Sequence, residues 1–233
     1  MNAELAAIVF DFDGVIANSE PLHCRAFREV LAGEGITLTE PDYYGRYLGY
    51  DDVGVFHAIG VDHGVRWDVD HIAALVDRKA ARIETLEREI PVLFAGAAAA
   101  IRRAAAAVPV AIASGALRAE ILRVLDRADL TSAFAGIVAA EDTPASKPAP
   151  DPYVRAIDLL SRAAGAPVEP HACVAIEDSR WGLASARAAG LRTVAVTSTY
   201  PVVELAGVAD LVIESLASLD LAVLRRLVAR RPA

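Results

Sequence analysis

The chain has 233 residues, of which 55% are hydrophobic and 23% charged, enough to bury a sizeable core in one large domain or in a domain carrying an insertion. Its net charge of −8 leaves no basic footprint, so neither nucleic acid nor an anionic membrane surface is expected as a partner. The N-terminus lacks the basic start and long apolar core of a signal peptide, and the apolar stretch Ala95 to Ala113 is broken by Arg102-Arg103 and Pro109, which argues against a membrane span.

The first expected element is a short buried strand, Ile8–Phe10, inside the apolar run Ala6-Ala7-Ile8-Val9-Phe10. It runs into Asp11-Phe12-Asp13-Gly14-Val15-Ile16. Carboxylates at the end of an apolar strand need partners or a metal, because desolvating their charge is costly. Residues i and i+2 of an extended segment point to one side, so Asp11 and Asp13 can address one small volume and divide the roles of nucleophile and proton donor. The competing reading at this point is an Asp-Gly turn in which Asp13 bonds its own backbone.

A long stretch without a buried strand follows. Helical periodicity dominates it: Leu22, Ala26, Phe27, Val30 and Leu31, then Ile72, Leu75, Val76, Lys79 and Ile83. A crossover between parallel strands needs only about a dozen residues, so this stretch is read as an inserted helical domain. The expected boundaries are 18–89 for the insert, Ile90-Pro91-Val92 for the return hinge, and 1–17 with 90–233 for the main domain.

Five more strands are expected at Val108–Ala113, Gly136–Ala139, Ala172–Ile176, Thr193–Val196 and Asp210–Ile213. They are near-continuous apolar runs, the pattern of a parallel sheet covered on both faces. Their alternation with helices indicates a doubly wound α/β fold. One helix is expected to start at an Asp151 N-cap followed by Pro152. Another runs from Ser179 to Ala189 and stops at Gly190. Cys24 falls in a helical pattern and Cys173 begins a strand, so both are read as free thiols in a reducing compartment.

Ligands of open α/β sheets bind beyond the carboxyl ends of the strands. Besides Asp11 and Asp13, three polar sets fall there. Ser114-Gly115 ends the second strand just before a helix, where a hydroxyl and backbone N–H groups can bind an anion, although a serine in that place also serves as a plain N-cap. Ser146-Lys147-Pro148-Ala149-Pro150 holds one of the chain's two lysines on a stiff loop, which places a point charge reproducibly; a solvated loop lysine is the alternative. Glu177-Asp178-Ser179 repeats the anomaly of acids at a buried strand end, with capping of the next helix as its alternative. Taken together, oxygen ligands from Asp11, Asp13 and Asp178 suit Mg²⁺, and Ser114 and Lys147 suit a phosphate.

In this order and spacing the chain resembles the haloacid dehalogenase superfamily. The four motifs are DFDGV, Ser-Gly after the second strand, SKP, and EDS followed by a Gly-containing helix. The resemblance covers essentially the whole chain. The insertion after the first motif is similar to that of the subgroup with a small helical cap. The strings FDFDGVIANSEPLH, SKPAPDPY and AIEDSRWGLASARAAG resemble the branch of β-phosphoglucomutases and sugar-phosphate phosphatases.

The resemblance implies a Rossmann-like α/β core with a helical cap, and a Mg²⁺-dependent enzyme acting on a small phosphate ester. Separately, the chain is expected to be cytoplasmic, in keeping with its free thiols, and monomeric. The resemblance implies that Asp11 attacks phosphorus and that Asp13 protonates the leaving oxygen and then activates water. It also implies that Asp13 meets the metal through its backbone carbonyl, that Asp178 ligates the metal, and that Glu177 ligates or supports it. Ser114, Gly115 and Lys147 would hold the transferring phosphoryl group. The cap is expected to exclude water and carry selectivity.

Several cap residues bear on whether water or a sugar accepts the phosphoryl group. Ser19 and His23 match positions that the related mutases fill with Thr and His, although His23 also lies four residues before Phe27 on one helix face. Gly49-Tyr50-Asp51-Asp52 stands where the mutases have a Gly followed by Ser-Arg, whose arginine grips the second phosphate. Two acids there favour a phosphatase over a mutase, unless Arg46 or Lys79 compensates. A dehalogenase is disfavoured, since those enzymes lack an acid like Asp13. A catalytically dead binding module is disfavoured because every catalytic position is filled.

Overall fold

The computed structural model describes residues 4–48, 50 and 52–229. Its centre is a six-stranded parallel sheet built from β1 (Ala7–Phe10), β2 (Val110–Ala113), β3 (Gly136–Val138), β4 (Cys173–Glu177), β5 (Arg192–Val196) and β6 (Leu211–Ile213). The order across the sheet is β3-β2-β1-β4-β5-β6. β1, β2 and β4 are buried at every position, as expected of central parallel strands that are apolar throughout save for Glu177 at the end of β4. The chain steps from β1 outward to β2 and β3, then returns to add β4, β5 and β6 on the other side. The reversal falls between β1 and β4, and such a switch point opens a crevice at the carboxyl ends of the strands.

All six expected strands are present, shifted slightly at their ends for local reasons. β2 begins after Pro109, which has no N–H for the ladder and whose carbonyl accepts from Ile8 N at 3.1 Å. β4 begins after a 3₁₀ turn at Pro170–Ala172. Asp210 stands outside β6 because its carboxylate accepts from Thr193 N at 2.8 Å and from Thr193 Oγ1 at 3.0 Å.

The helix ends follow the sequence with one correction. The helix Asp151–Ala164 takes Asp151 as its first residue, with Pro150 at the N-cap position, so Asp151 is not the cap. Proline at 152 suits the first turn, where a backbone N–H has no intrahelical partner. Ser179 does cap the helix Arg180–Ala188, accepting from Gly182 N at 3.0 Å. Gly190, at φ +87°, follows it in the left-handed conformation that glycine adopts without steric cost.

The chain divides into two compact units, Met1–Asn18 with Leu93–Ala233, and Ser19–Val92. The first holds the sheet. The second is helical: Glu20–Ala32, Asp52–Asp62 and Val69–Glu89 are its main helices. They enclose a core around Phe27, Tyr43, Phe56 and Leu75, with the Phe27 ring 5.1 Å from Phe56 and 5.7 Å from Tyr43. Cys24 and Cys173 are both free and buried. No helix of the described residues is long and apolar enough to cross a membrane.

Candidate active site

The residues following β1 and β4 meet at the switch point of the sheet. Asp11 N donates to the Ile176 carbonyl at 2.9 Å, which ties the end of β1 to the end of β4. The chain then turns sharply: the Phe12 carbonyl accepts from Ile16 N at 2.8 Å and from Ala17 N at 2.9 Å. Gly14 makes this turn at φ +73°. A Cβ on Gly14 would also lie 2.0 Å from Asp178 Oδ2, so only glycine leaves room for that carboxylate.

Asp11, Glu177 and Asp178 form one buried cluster, with a carboxylate oxygen from each lying within 4.8 Å of the others. Asp13 is half-buried, and its carboxylate is not part of that group. Lys147 is the cation of the cluster. Its Nζ lies 2.8 Å from Asp11 Oδ1 and 2.6 Å from Glu177 Oε1, and 5.3 Å from the centre of the Tyr153 ring. The loop carrying it is fixed by Ala149 N, which donates to the Ser146 carbonyl at 3.0 Å, and by Ser185 Oγ, which donates to the Ala149 carbonyl at 2.5 Å. Lys147 is therefore a placed charge and not a solvated one.

Glu177 is fully buried and heavily bonded. Its Oε1 accepts from Lys147 and, at 2.7 Å, from the Tyr153 hydroxyl. Its Oε2 accepts from Asp178 N at 3.2 Å, Ser179 N at 3.4 Å and Ser179 Oγ at 3.2 Å. A Cβ at Gly182 would lie 1.9 Å from this carboxyl group, so the first turn of the following helix is shaped around it. Glu177 thus organises Lys147 and the β4 turn as well as belonging to the acid cluster.

Three acids share one lysine, and their proton affinities show it. Burial, and then the charge of Glu177, push the Asp11 carboxyl well above the usual carboxylate range, while Lys147 opposes them. The same two causes raise Asp178 to about 7. The acids beside Lys147 raise its ammonium pKa against the effect of burial. An excess of hard oxygen donors over positive charge is the donor set that a small divalent cation satisfies, and the cluster could hold one.

Ser114 is buried and comes off β2, whose Ile112 pairs with Phe10, so it leaves the sheet at the same edge as Asp11. It does not cap the next helix. That helix is Arg118–Arg127, and Ser114 Oγ instead accepts from Ala116 N at 3.0 Å. The helix-start N–H groups are occupied: Leu117 N donates to Glu120 at 3.2 Å and Arg118 N to Glu141 at 3.1 Å. A phosphate site in this segment would therefore rest on Ser114 and the Gly115 turn. A Cβ at Gly115 would meet nothing within 4 Å.

Sequence reasoning missed three residues of this site. Tyr153 is fully buried under the cluster; its signal was an aromatic residue in the first turn after the proline-rich loop. The Thr199 hydroxyl donates to Asp178 Oδ2, and the Ser198 hydroxyl donates to the Gly14 carbonyl. Nothing in the run Thr197-Ser198-Thr199 distinguishes it from an ordinary polar turn.

In the helical unit, Lys79 is buried and bonds both oxygens of Asp52 at 2.8 and 2.9 Å. Its Nζ is also 2.7 Å from His23 Nδ1. Burial, helped by the Lys79 charge, lowers the pKa of His23 to about 3. Arg46 pairs with Asp62 at 2.6 Å. Of the segment 49–52, Tyr50 and Asp52 are described, while Gly49 and Asp51 lie outside the described residues.

The model of the haloacid dehalogenase-like hydrolases matches residues 5–190. The chain belongs to this family. Within the family it resembles protein CbbY of Rhodobacter capsulatus, with 36% identity over 84% of this chain and 87% of that protein. It is 31% identical to hexitol phosphatase B of Escherichia coli K12, over 83% of this chain and 84% of the enzyme. The crystal structure of CbbY from Rhodobacter sphaeroides in complex with phosphate matches with a TM-score of 0.74 at 30% identity, covering 92% of this chain and 96% of that one. The family places the chain among hydrolases, in the branch that the motifs after β1, β3 and β4 indicate.

Proposed function

We propose that this haloacid dehalogenase-like hydrolase is a Mg²⁺-dependent phosphatase that releases phosphate from a small phosphorylated metabolite, a sugar phosphate or similar ester, through a phosphorylated Asp11. The observation that carries the reading is the buried cluster in which Lys147 bridges Asp11 and Glu177 beside Asp178. Similarity to hexitol phosphatase B and to a phosphate-bound CbbY supports phosphate esters of small carbohydrates as the substrate class.

In this reading Asp11 is the nucleophile. Its carboxylate attacks phosphorus, and the ester oxygen leaves with a proton from Asp13. Asp13 then takes a proton from the water that opens the acyl phosphate, returning Asp11 and free phosphate. Lys147 and Ser114 stabilise charge on the phosphoryl oxygens as it shifts. Asp11, Asp178, Glu177 and the backbone of Asp13 would hold the Mg²⁺. Bound there, the ion neutralises the charge between nucleophile and phosphate, which would otherwise repel each other.

Water as the final acceptor is favoured by the charges of the helical unit. A mutase must hold a second phosphate with a cation, and the two candidates are already paired, Lys79 with Asp52 and Arg46 with Asp62. The test is phosphate release from a panel of sugar and polyol phosphates after removal of metal by chelation. Turnover should vanish and return with Mg²⁺, and Asp11→Asn should lower it by at least about 10⁴-fold. Full turnover in excess chelator, or an active Asp11→Asn enzyme, would overturn the reading.

A further inference from the structure

The turn after β5 reaches both arms of the acid cluster. β5 runs beside β4 with Ala195 opposite Glu177, so the chain leaving β5 continues past Asp178. There the Thr199 hydroxyl donates to Asp178 Oδ2. One residue earlier, the Ser198 hydroxyl donates to the carbonyl of Gly14, the residue that follows Asp13. A Cβ on Gly14 would lie 2.9 Å from Thr199 Oγ1 as well as 2.0 Å from Asp178 Oδ2. Gly14, Asp178 and Thr199 are thus packed against one another without room for a further atom.

The turn itself is anchored on two sides. Thr197 Oγ1 donates to the Glu214 carbonyl at 3.2 Å, which ties it to the chain after β6. Arg180 Nη2 meets Glu204 Oε2 at 2.7 Å, which ties the helix after the turn to the helix after β4. A hydroxyl on such a turn has a fixed position, and it can impose that position on its partner.

Asp178 needs such a partner. It is buried next to Asp11 and Glu177, and repulsion between like charges favours any rotation that separates them. A hydroxyl donating to one carboxylate oxygen fixes the group against rotation about its Cβ–Cγ bond. Groups that orient a ligating side chain in this way tune metal affinity without touching the metal.

We propose that Thr199 is a positioning residue for the metal site: its hydroxyl holds the Asp178 carboxylate in the orientation that binds the divalent cation. The proposal rests on the metal reading of the cluster given above. Thr199 takes no part in phosphoryl transfer itself.

The experiment is a Mn²⁺ titration of the metal-free protein, followed by the electron paramagnetic resonance signal of free Mn²⁺. Mn²⁺ accepts the same oxygen donors as Mg²⁺. Wild type should bind one ion, and Thr199→Val should bind it about 10-fold more weakly or worse, in the range seen when an orienting partner is lost. Thr199→Ser, which keeps the hydroxyl, should bind within about threefold of wild type. The thermal midpoint of the metal-free Thr199→Val protein should stay close to that of wild type. Equal affinity in Thr199→Val and wild type overturns the proposal, and so does a Thr199→Ser protein as weak as Thr199→Val. If Thr199→Val does not fold, Thr199→Ala against Thr199→Ser reads the same hydroxyl, and equal affinities in that pair overturn it too. A wild-type protein that binds no Mn²⁺ would overturn the metal reading itself, and this assignment with it.

Discussion

The two lysines of the chain sit in two buried clusters that are built differently. Lys147 in the sheet unit faces Asp11 and Glu177, with Asp178 beside them. Lys79 in the helical unit bonds the Asp52 carboxylate and lies against the His23 imidazole, with the carboxyl of Glu20, bonded by Tyr43, close enough to feel its charge. The first cluster has more negative charge than its lysine can offset, and it holds Asp178 protonated up to about pH 7. In the second, Lys79 and Asp52 cancel, and the imidazole stays neutral down to about pH 3. A buried cluster whose charges cancel is complete by itself. One with surplus carboxylates must keep a proton or take up a cation, and such a cluster is a candidate site.

The largest expected difference between the two clusters is in their response to losing one carboxylate. Asp178→Asn should reduce metal-dependent turnover by at least about 100-fold. The same change should raise the stability of the metal-free protein near pH 8 by about 1–2 kcal/mol, because one uncompensated buried charge is gone. Denaturant unfolding with chelator present, beside an activity assay, checks both. A variant less stable than wild type under those conditions would break the comparison, since the cluster would then not be overcharged.

Asp52→Asn should act in the opposite direction. It leaves the Lys79 ammonium buried without a counter-charge, and removing one partner of a buried pair is destabilising. The Asp52 side chain is 34% exposed, so solvent screens part of the loss, and about 1–3 kcal/mol is expected. Adding Lys79→Met should recover part of it, because a methionine fills the same space without charge. A double variant as unstable as the single one would show that packing, and not charge, holds this cluster.

The smallest expected effect is in pH dependence, where the two clusters should slope in opposite directions. The Asp178 pKa is raised in the folded protein, so its contribution to stability is present below the ordinary carboxylate value and is lost as pH rises through about 7. The His23 pKa is depressed, so its contribution is present above its ordinary value of 6.5 and is lost as pH falls toward about 3. Thermal midpoints of the metal-free protein should therefore decline on both sides of a maximum. Asp178→Asn should flatten the alkaline side and His23→Asn the acid side. Mg²⁺ should also remove the alkaline decline, since it replaces the proton on Asp178. Profiles unchanged by either substitution would break the assignment.

Much of this was legible in the chain. The inner strands β1, β2, β4 and β5 were visible because a parallel strand with a neighbour on each side is covered on both faces and reads as a short apolar run. The acids at the ends of β1 and β4 were visible because charge at the end of a buried strand is costly unless it has a use. What stayed hidden were partners set by distance in space. Tyr153 and Thr199 meet Glu177 and Asp178 across 24 and 21 residues of sequence, and hydroxyl-bearing residues in turns and helices are too common to single out. Asp52 was read as a charge that would repel a phosphate. The fold shows it bonded to Lys79, across 27 residues.

The sequence by itself determined the fold class, the family, and the edge of the sheet where chemistry can occur, because these follow from local patterns of polarity and from motif spacing. Only the tertiary structure decided how the charges are shared. It set Lys147 between Asp11 and Glu177, left the Asp13 carboxylate outside the cluster, and gave Asp178 a hydroxyl partner from the turn after β5. Proton affinity and hydrogen bonding depend on burial and on separations of a few ångströms, and those quantities exist only once strands distant in sequence are side by side.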